Sequence, residues 1–381
     1  MATRRSRPGW TAGIVVGLGV GLLTACPARA ASLPNPITIG VVSPLTGPVA
    51  LVGKNLESGV QLRFEEINQA GGILGSRLAV IAEDDGAKPE QSVNAVTKLI
   101  TRDKVPAIIG SVTSPTTLAG MEVSQKYETP QITPVSTSPK VTQSGNKWIF
   151  RVAISDRHHA AIVPPFLAGA LKVKKAAIIH VNDDFGQGGS KLLQEAAAKA
   201  GVQIVAVDSY LGDAKDFTAQ LSKAKAAGAE ALILWSRQAD GALIIRQAHH
   251  LGMKMPIMGG DAFSSPLLVK LGGDDVEGVY FTTSFLPSPE QARAFEFDKR
   301  FKAKFNRDPD FAAAQAYDAA GILAEAIKRA GSLDRGRIRD EIARTRDYPG
   351  VIGTISLDAT GDLVIAPKIG QVKNGKHVFI Q

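Results

Sequence analysis

Several residue groups in this chain could do chemistry, but their spacing does not match that of catalytic motifs. The turn after the first predicted strand reads GVVSPLTG (residues 40–47), which lacks the G-x-G-x-x-G spacing of dinucleotide-binding enzymes. The sequence contains no G-x-x-x-x-G-K-[ST] phosphate loop and no G-x-S-x-G nucleophile elbow. The sequence therefore predicts no enzyme, no catalytic residue and no cofactor.

Histidines and aspartates occur as adjacent pairs rather than as clusters. His158–His159 and His249–His250 fall in predicted helices, where neighbouring side chains point in different directions. We interpret them as surface or capping histidines, and we predict no metal site. Asp84–Asp85 and Asp183–Asp184 come at strand ends, where neighbours face opposite sides of the sheet. We interpret these pairs as helix or turn caps rather than as an acid/base couple.

A group of hydroxyl residues marks a candidate anion site. The third predicted strand is followed by GSVTSPTT (110–117), in which Ser114 is expected to be the N-cap of a helix and Pro115 its first residue. Free N–H groups and hydroxyls at a helix N-terminus suit a carboxylate. After the fourth strand, Val135 and Thr137 offer a free carbonyl and another hydroxyl. The alternative is that these residues only cap helices.

A lone carboxylate follows a predicted strand in the second half of the chain. Asp261 comes directly after Gly259-Gly260 at the carboxyl end of that strand. The alternative is that Asp261 is an N-cap, because Ser264-Ser265-Pro266 begins a helix nearby. A carboxylate site in one half of the chain and a carboxylate in the other half together match the two charges of a zwitterion.

The elements that must position these residues follow an alternating β-α pattern, which predicts parallel sheets. The first series has strands at 37–44, 78–85, 106–110 and 130–136, with helices at 54–69, 89–102 and 114–127. The second series has strands at 176–181, 202–210, 231–236, 256–260 and 279–285, with helices at 187–200, 216–227 and 239–251. The chain ends with helices at 289–305, 311–330 and 334–345 and two strand-like segments.

Two β-α series of similar length predict two doubly wound α/β lobes. Ligands of open α/β sheets bind beyond the carboxyl ends of the strands, so the loops at these ends are expected to meet at one cleft. Pro164-Pro165 lies inside a helical stretch (156–172) and should break or kink it.

The N-terminus predicts export from the cell. An arginine-rich start (residues 4–7) precedes an uncharged, Gly-rich apolar run (10–25), and Ala28-Arg29-Ala30 offers a cleavage site, which together indicate a signal peptide over residues 1–30. The run is shorter than the roughly 20 apolar residues that a membrane anchor needs. Lipidation of Cys26 is the alternative to ordinary cleavage, because the residues before it resemble a lipoprotein box. Twin-arginine export stays open beside the general secretory route.

Composition and length limit the classes of protein to which the exported chain can belong. The sequence has 44 Lys and Arg against 36 Asp and Glu, and loss of the four arginines in residues 1–30 leaves 40 − 36 = +4. This mildly basic charge gives no case for nucleic-acid binding. Cys26 is the only cysteine, so a chain cleaved after Ala30 has no disulfide. About 350 remaining residues are enough for two domains that each bury a core. No later apolar run could span a bilayer, so a soluble protein is expected.

From Ile37 to the C-terminus the chain resembles the leucine/isoleucine/valine-binding proteins of bacterial ABC importers, which have the type I periplasmic-binding fold. The motifs that carry the resemblance, in this order, are GVVSPLTGPVALVG (40–53), INQAGGILG (67–75), TPVSTSP (133–139), DDFGQG (183–188) and MGGD (258–261). The resemblance implies two lobes, 36–153 plus 286–364 and 154–285 plus 365–381, joined by three hinge crossovers. It also implies a monomeric periplasmic receptor that captures a small amino acid, branched-chain or related, and delivers it to a membrane permease.

The resemblance also implies roles for single residues. Ser114 and Thr137 would hold the α-carboxylate of the ligand, and the Val135 carbonyl and Asp261 would hold its α-ammonium. Asp261 stands where glutamate is usual, which keeps the charge but shortens the reach.

Two positions of the side-chain pocket depart from the family pattern. Phe185 stands where the family often has a tyrosine, and Val52 where an aromatic from the first loop can sit. Arg237 lies near another wall, and an acidic or aromatic-acid ligand becomes plausible if Arg237 faces the cleft.

Other functions of the same fold stay open as alternatives. The protein could be a receptor for an aromatic or other small carboxylic acid or amide, or a ligand-sensing receptor rather than a transporter component. Transcription repressors of this fold carry a helix-turn-helix where this chain has its predicted signal peptide. Receptor ectodomains of this fold need a following membrane span, which we do not find in the sequence.

Overall fold

The computed structural model describes residues 1–10, 13 and 33–380, and it divides the chain into two compact units, Met1–Ser32 and Leu33–Gln381. Residues 1–10 and 13 form neither helix nor strand. Cys26 and the predicted cleavage site lie outside the described residues. Within the described part, no helix combines the length and the apolar composition that crossing a membrane requires.

The first sheet is parallel and begins the larger unit. Its strands are β1 (Ile37–Ser43), β2 (Leu78–Asp84), β3 (Ile108–Ile109), β4 (Gln131–Thr133) and β5 (Ile149–Arg151), in the order β2-β1-β3-β4-β5. The helices between them are α1 (Ala50–Gln69), α2 (Pro89–Thr101), α3 (Ser114–Lys126) and α4 (Lys140–Gln143). Nearly every residue of β1 is buried, as expected of a parallel strand covered by helices on both faces.

The second sheet follows after α5 (Asp156–Gly169). Its first five strands are β6 (Lys175–Val181), β7 (Gln203–Tyr210), β8 (Ala231–Trp235), β9 (Ile257–Gly259) and β10 (Tyr280–Thr283). The elements between them are α6 (Asp184–Ala200), α7 (Thr218–Ala226), α8 (Gln238–His250), a 3₁₀ turn (Asp261–Ser264), α9 (Pro266–Gly272) and a second 3₁₀ turn (Gly273–Val276).

The chain then returns to the first sheet and crosses once more. The returning segment contains α10 (Ala292–Phe305), α11 (Phe311–Ala330), α12 (Arg335–Ala343), β11 (Tyr348–Pro349) and β12 (Thr354–Ile355). The last two strands, β13 (Lys368–Lys373) and β14 (Lys376–Phe379), complete a second sheet of order β14-β13-β10-β9-β8-β6-β7. The first lobe is the first sheet with its helices and this returning segment, and the second lobe is the remainder.

Three crossovers join the two lobes, after β5, after β10 and after β12, as the family resemblance implied. Each lobe has its own hydrophobic core. The middle crossover contributes to both cores, because Phe285 packs in the first and Leu286 in the second. Two α/β lobes built on largely parallel sheets confirm the predicted fold class.

Helix α11 forms the centre of the first core although it is distant in sequence from the strands that it covers. Its residues from Phe311 to Leu323 are all buried, and it packs against α1. The two helices meet closely at Gly59, where a Cβ atom would lie 2.2 Å from the Ala313 carbonyl oxygen. Small residues on both helices allow this approach, which buries α11 on all sides from Phe311 to Leu323.

Two local expectations were wrong. Strand β5 was not predicted, because it is short and ends in a charged residue, Arg151, which is buried here through its ion pair with Asp362. Pro164 and Pro165 were expected to break or kink α5, and they do not break it, because the helix continues through both to Gly169. The neighbouring residues Val163, Phe166 and Leu167 are anchored in the second core, and this packing offsets the two lost backbone hydrogen bonds.

Candidate functional site

A cavity lies between the two lobes, at the carboxyl ends of strands from both sheets. Its empty volume is about 470 Å³, part of which is continuous with solvent. All seven residues that the sequence predicted for the ligand site line this one cavity: Val52, Ser114, Val135, Thr137, Phe185, Arg237 and Asp261. The geometry therefore brings the predicted residues together, and their contact with a ligand stays a prediction.

The hydroxyl side of the cavity is formed by the start of α3 and the loop after β4. Thr113, and not Ser114 as predicted, is the N-cap of α3, because its extended backbone places Oγ1 where it accepts a hydrogen bond from the Thr116 N–H. Ser114 is the first helical residue, and its Oγ accepts a hydrogen bond from the Ser138 N–H at 3.3 Å. The hydroxyl proton of Ser114 is thus free to be donated into the cavity.

Backbone groups on the same side add to this hydrogen-bonding surface. The N–H groups of Ser114 and Thr137 donate to no backbone carbonyl of the described residues, and they lie beside the N-terminus of α3. The Val135 carbonyl accepts from no backbone N–H in that same part of the chain. Free N–H groups next to hydroxyls favour an anion, and a free carbonyl favours a donor such as an amine.

Arg151 holds the loop after β4 in place. Its guanidinium forms two hydrogen bonds with the Asp362 carboxylate, at 2.8 and 2.5 Å, and its Nη1 donates to the Ser138 carbonyl at 2.6 Å. Arg151 is fully buried, so this ion pair is shielded from water. The loop that carries Thr137 is therefore rigidly braced, although Arg151 itself is not among the residues that line the cavity.

The second lobe contributes one carboxylate to the cavity. Asp261 follows β9, begins the short 3₁₀ turn and is only 6% exposed. Its Oδ2 has no hydrogen-bond partner among the described residues. Burial raises the pKa of Asp261 from 3.8 to about 7, so an incoming cation would be needed to keep it fully ionised in the closed cavity.

His159 lies next to this carboxylate, which corrects our interpretation of its histidine pair. His158 is exposed, but His159 is 1% exposed and its Nε2 lies 4.0 Å from Asp261 Oδ2. Burial lowers the pKa of His159 to about 3, so its imidazole is neutral. The pair was misjudged because successive residues of a helix point about 100° apart, and here one faces solvent and the other the core.

The opposite wall contains an ion pair. Arg237 lines the cavity, but its guanidinium is bound by the Asp183 carboxylate. Asp183 is also the N-cap of α6 and accepts from the N–H groups of Phe185 and Gly186, each at 3.0 Å, which confirms its interpretation as a cap. The positive charge of Arg237 is thus already matched by protein, so this wall offers no net charge to an acidic ligand.

Aromatic packing shapes the remaining wall. The ring centroids of Phe185 and Trp235 are 6.1 Å apart. Trp235 lies so close to α6 that a Cβ atom at Gly189 would be 1.9 Å from the indole Nε1. Val52 lies in the first turns of α1 rather than in the preceding loop, because α1 begins at Ala50 and not at residue 54. The pocket beside Asp261 is therefore mainly apolar.

Seven further residues line the cavity and were not predicted. They are Val49, Val112, Thr113, Ser136, Gln238, Ala262 and Phe311. Most follow a strand end by one to three residues, so the rule that found their neighbours could have found them. Phe311 could not be found in this way, because it begins α11 and reaches the cavity only through the second crossover. The described residues contain no group of three or more His, Cys, Asp or Glu placed to hold a metal ion.

Comparisons with known proteins agree with this geometry. A family model described as "Periplasmic binding protein" matches residues 36–376. The Leu/Ile/Val-binding protein homolog 3 of Brucella melitensis is 32% identical over 328 residues, which cover 86% of this chain and 88% of that protein.

Solved structures are similar over the same region. A leucine-binding protein from Thermotoga maritima is 33% identical with a TM-score of 0.85, covering 91% of this chain and 98% of that one. A branched-chain amino acid transporter substrate-binding protein from Streptococcus pneumoniae, solved with isoleucine, is 30% identical with a TM-score of 0.85, covering 91% and 99%. The fold, the cleft between the lobes and the match to the family model together show that the chain belongs to the periplasmic binding protein family.

Proposed function

We propose that this protein is the solute-binding component of an ABC importer, which captures a small amino acid, branched-chain or related, between its lobes and delivers it to a membrane permease. The observation that carries the proposal is the division of the cavity. Hydroxyl and N–H groups of Ser114 and Thr137 lie on one lobe, and the Asp261 carboxylate lies on the other. The names of the similar proteins, which refer to leucine, isoleucine and valine, support the same ligand class.

In this proposal each end of the ligand has its own partners. Ser114 and Thr137 hold the α-carboxylate with hydroxyl and N–H donors, and the Val135 carbonyl and Asp261 hold the α-ammonium. The apolar side chain of the ligand packs against Val52 and Phe185, which are 3% and 8% exposed. Arg237 contributes its aliphatic stem to the wall, since its charged end is occupied by Asp183.

Binding closes the lobes by bending at the three crossovers, because each lobe holds only part of the site. One ion pair already joins the lobes at the rim, where Lys140 Nζ lies 2.6 Å from Asp184 Oδ1. The ligand adds the central contacts between the lobes, so closure should be largely ligand-dependent. Ligand should therefore reduce the radius of gyration in solution scattering, and an unchanged scattering curve at saturation would contradict the mechanism.

The proposal extends to where and how the protein works. It is exported by residues 1–30, acts in the periplasm as a monomer, and releases its ligand unchanged instead of converting it. Within it, residues 36–153 plus 286–364 form the first lobe, and residues 154–285 plus 365–381 form the second. Lipidation of Cys26 is the alternative that would tether the protein to a membrane.

A thermal-shift screen over branched-chain amino acids, aromatic acids and amides tests the proposal directly. Amino acids should raise the melting temperature, and none should be consumed. Asp261→Ala should cost roughly 2–5 kcal/mol of binding, or about 30- to several-thousand-fold in affinity, because the ligand ammonium loses its only charged partner. Ser114→Ala should cost less, roughly 1–3 kcal/mol, as the loss of one hydrogen bond to a charged group.

Three results would contradict the proposal. If the Asp261→Ala variant binds the tightest ligand as well as wild type does, that ligand has no amine at this point. If carboxylic acids or amides without an α-amino group shift the melting temperature more than amino acids do, the receptor belongs to a different ligand class. Turnover of any bound compound would show an enzyme instead of a carrier.

A further inference from the structure

A group of buried polar atoms beside Asp261 has no protein partner. Both ring nitrogens of His159 and Oδ2 of Asp261 are buried without a hydrogen bond among the described residues, and the Asp156 carboxyl beside them lies against the side chains of Thr137 and Trp235. Asp156 and His159 are three residues apart on α5 and so share one face of that helix. Buried polar atoms in native proteins nearly always have partners. These atoms are therefore candidates for contacts that form when a ligand binds.

The charges around this group leave Asp261 as its only source of net charge. Burial and the nearby Asp261 raise the pKa of Asp156 well above its ordinary value, so Asp156 is a neutral acid. His159 is also neutral, because burial lowers the pKa of its ring. Arg151, a buried cation whose charge acts on both Asp156 and His159, is bound by Asp362. His158 is exposed on the other side of the helix.

A bound amine would leave one oxygen of the Asp261 carboxylate in need of a hydrogen-bond donor. The ligand ammonium keeps the carboxylate ionised and occupies one of its oxygens. The other oxygen is then a buried, charged acceptor, which is costly without a donor. His159 Nε2 lies 4.0 Å from Asp261 Oδ2, and a shift of about 1 Å would bring the two atoms to hydrogen-bond distance. His159 Nε2 is thus an unpaired buried group that lies beside Oδ2 and can donate to it.

We propose that His159 is a positioning residue for amine recognition, whose Nε2–H holds the Asp261 carboxylate in place while the ligand ammonium is bound. The proposal rests on the proposed function, since it requires a ligand with an amine. A neutral imidazole suits this role better than a cation would. It satisfies Oδ2 and leaves the negative charge of Asp261 for the ligand, whereas an imidazolium would neutralise that charge.

Three substitutions separate this role from simple packing. His159→Gln places an amide nitrogen where Nε2 was, His159→Asn places one where Nδ1 was, and His159→Leu supplies neither. The affinity of each variant is measured by calorimetry for L-leucine and for its des-amino analogue, 4-methylpentanoate. Circular dichroism and melting of the unliganded variants check that each one folds.

The expected pattern depends on the position of the donor. The Leu and Asn variants should bind L-leucine about 10- to 100-fold more weakly than wild type, because a hydrogen bond to a buried carboxylate is lost. The Gln variant should stay within about threefold of wild type, since its donor reaches Oδ2. Affinity for 4-methylpentanoate should change by less than about threefold in all variants, because that ligand does not need an ionised Asp261.

Other outcomes overturn the inference. A Gln variant as weak as the Leu variant shows that Nε2 is not the donor. Equal losses for both ligands show that His159 supports the fold of the site and not amine recognition. If wild type binds L-leucine and the Leu variant binds it equally well, His159 has no role in binding. If wild type binds no amino acid at all, the proposed function fails, and this inference fails with it.

Discussion

Asp261→Asn should stabilise the unliganded protein while it destroys the binding site. Burial raises the pKa of Asp261 from 3.8 to about 7, so between these pH values the folded protein binds a proton at Asp261 that the unfolded chain does not bind. The free energy of unfolding therefore decreases as the pH rises through this window. The stabilising contribution of the protonated Asp261 carboxyl is fully lost above pH 7. Asparagine has the same shape and no charge, so it removes the cost of ionisation.

The pKa shift sets the size of this effect. A shift of about 3 units corresponds to a ceiling of about 4 kcal/mol at pH 8, where both states are ionised. At pH 5 the folded protein still keeps Asp261 protonated, and the corresponding cost is only about 1.5 kcal/mol. Opening of the cleft lets water reach Asp261 and lowers both values. The difference between the two pH values, up to roughly 2–3 kcal/mol, is the quantity to measure.

Urea denaturation of wild type and Asp261→Asn without ligand, at pH 8 and pH 5, measures this difference. Buried Asp310 and Asp318 also have raised pKa values, of about 6 and about 7, but they occur in both proteins and cancel in the comparison. Asp213→Asn is a matched control, because Asp213 is exposed. Saturating amino acid should reverse the order of stability, since only wild type gains a paired charge. A stabilisation that is equal at both pH values would refute the reasoning.

Three further predictions concern the charges around the cleft. Lys140→Ala should weaken ligand binding by no more than about fivefold, because exposed ion pairs contribute at most about 1 kcal/mol, and calorimetry at about 1 M salt should show no difference from wild type. Asp156→Asn should leave ligand affinity within about twofold at neutral pH, because the buried acid is already neutral; a large loss in the same assay would show an ionised Asp156. Asp183→Ala should free the charge of Arg237 and improve binding of L-glutamate relative to L-glutamine, while the lost cap of α6 should lower stability by about 1 kcal/mol in urea denaturation.

Much of the fold could be predicted because buried parallel strands appear in the sequence as short apolar runs. Strands β1, β6 and β8 are buried almost throughout, and most of their residues have apolar side chains. The site could be predicted in outline because residues after strand ends meet at one edge of a sheet. The positions after strand ends put Ser114 and Asp261 in different halves of the chain, and the family resemblance then assigned them to opposite ends of one ligand.

The errors have local physical causes. Thr113 and Ser114 are both good N-caps by residue type, and only the backbone angles decide between them. His159 was missed because the direction of a side chain on α5 depends on how that helix packs against the second sheet. The Arg237–Asp183 ion pair was missed because it joins two strand ends that are 54 residues apart in sequence. Such contacts depend on tertiary structure and produce no periodic pattern in the sequence.

The chain passes between the two lobes three times, and this limits the order in which the parts of each lobe can fold. The five parallel strands of the second sheet lie within residues 175–283, so their pairing needs no distant segment. The core of the first lobe needs α11, which packs against α1 and ends at Ala330. As a chain emerges from its N-terminus, the first strands made must wait for one of the last helices. The lobe that begins the sequence therefore stays incomplete until α11 has been made, and in the meantime its apolar strands are what a chaperone would have to shield.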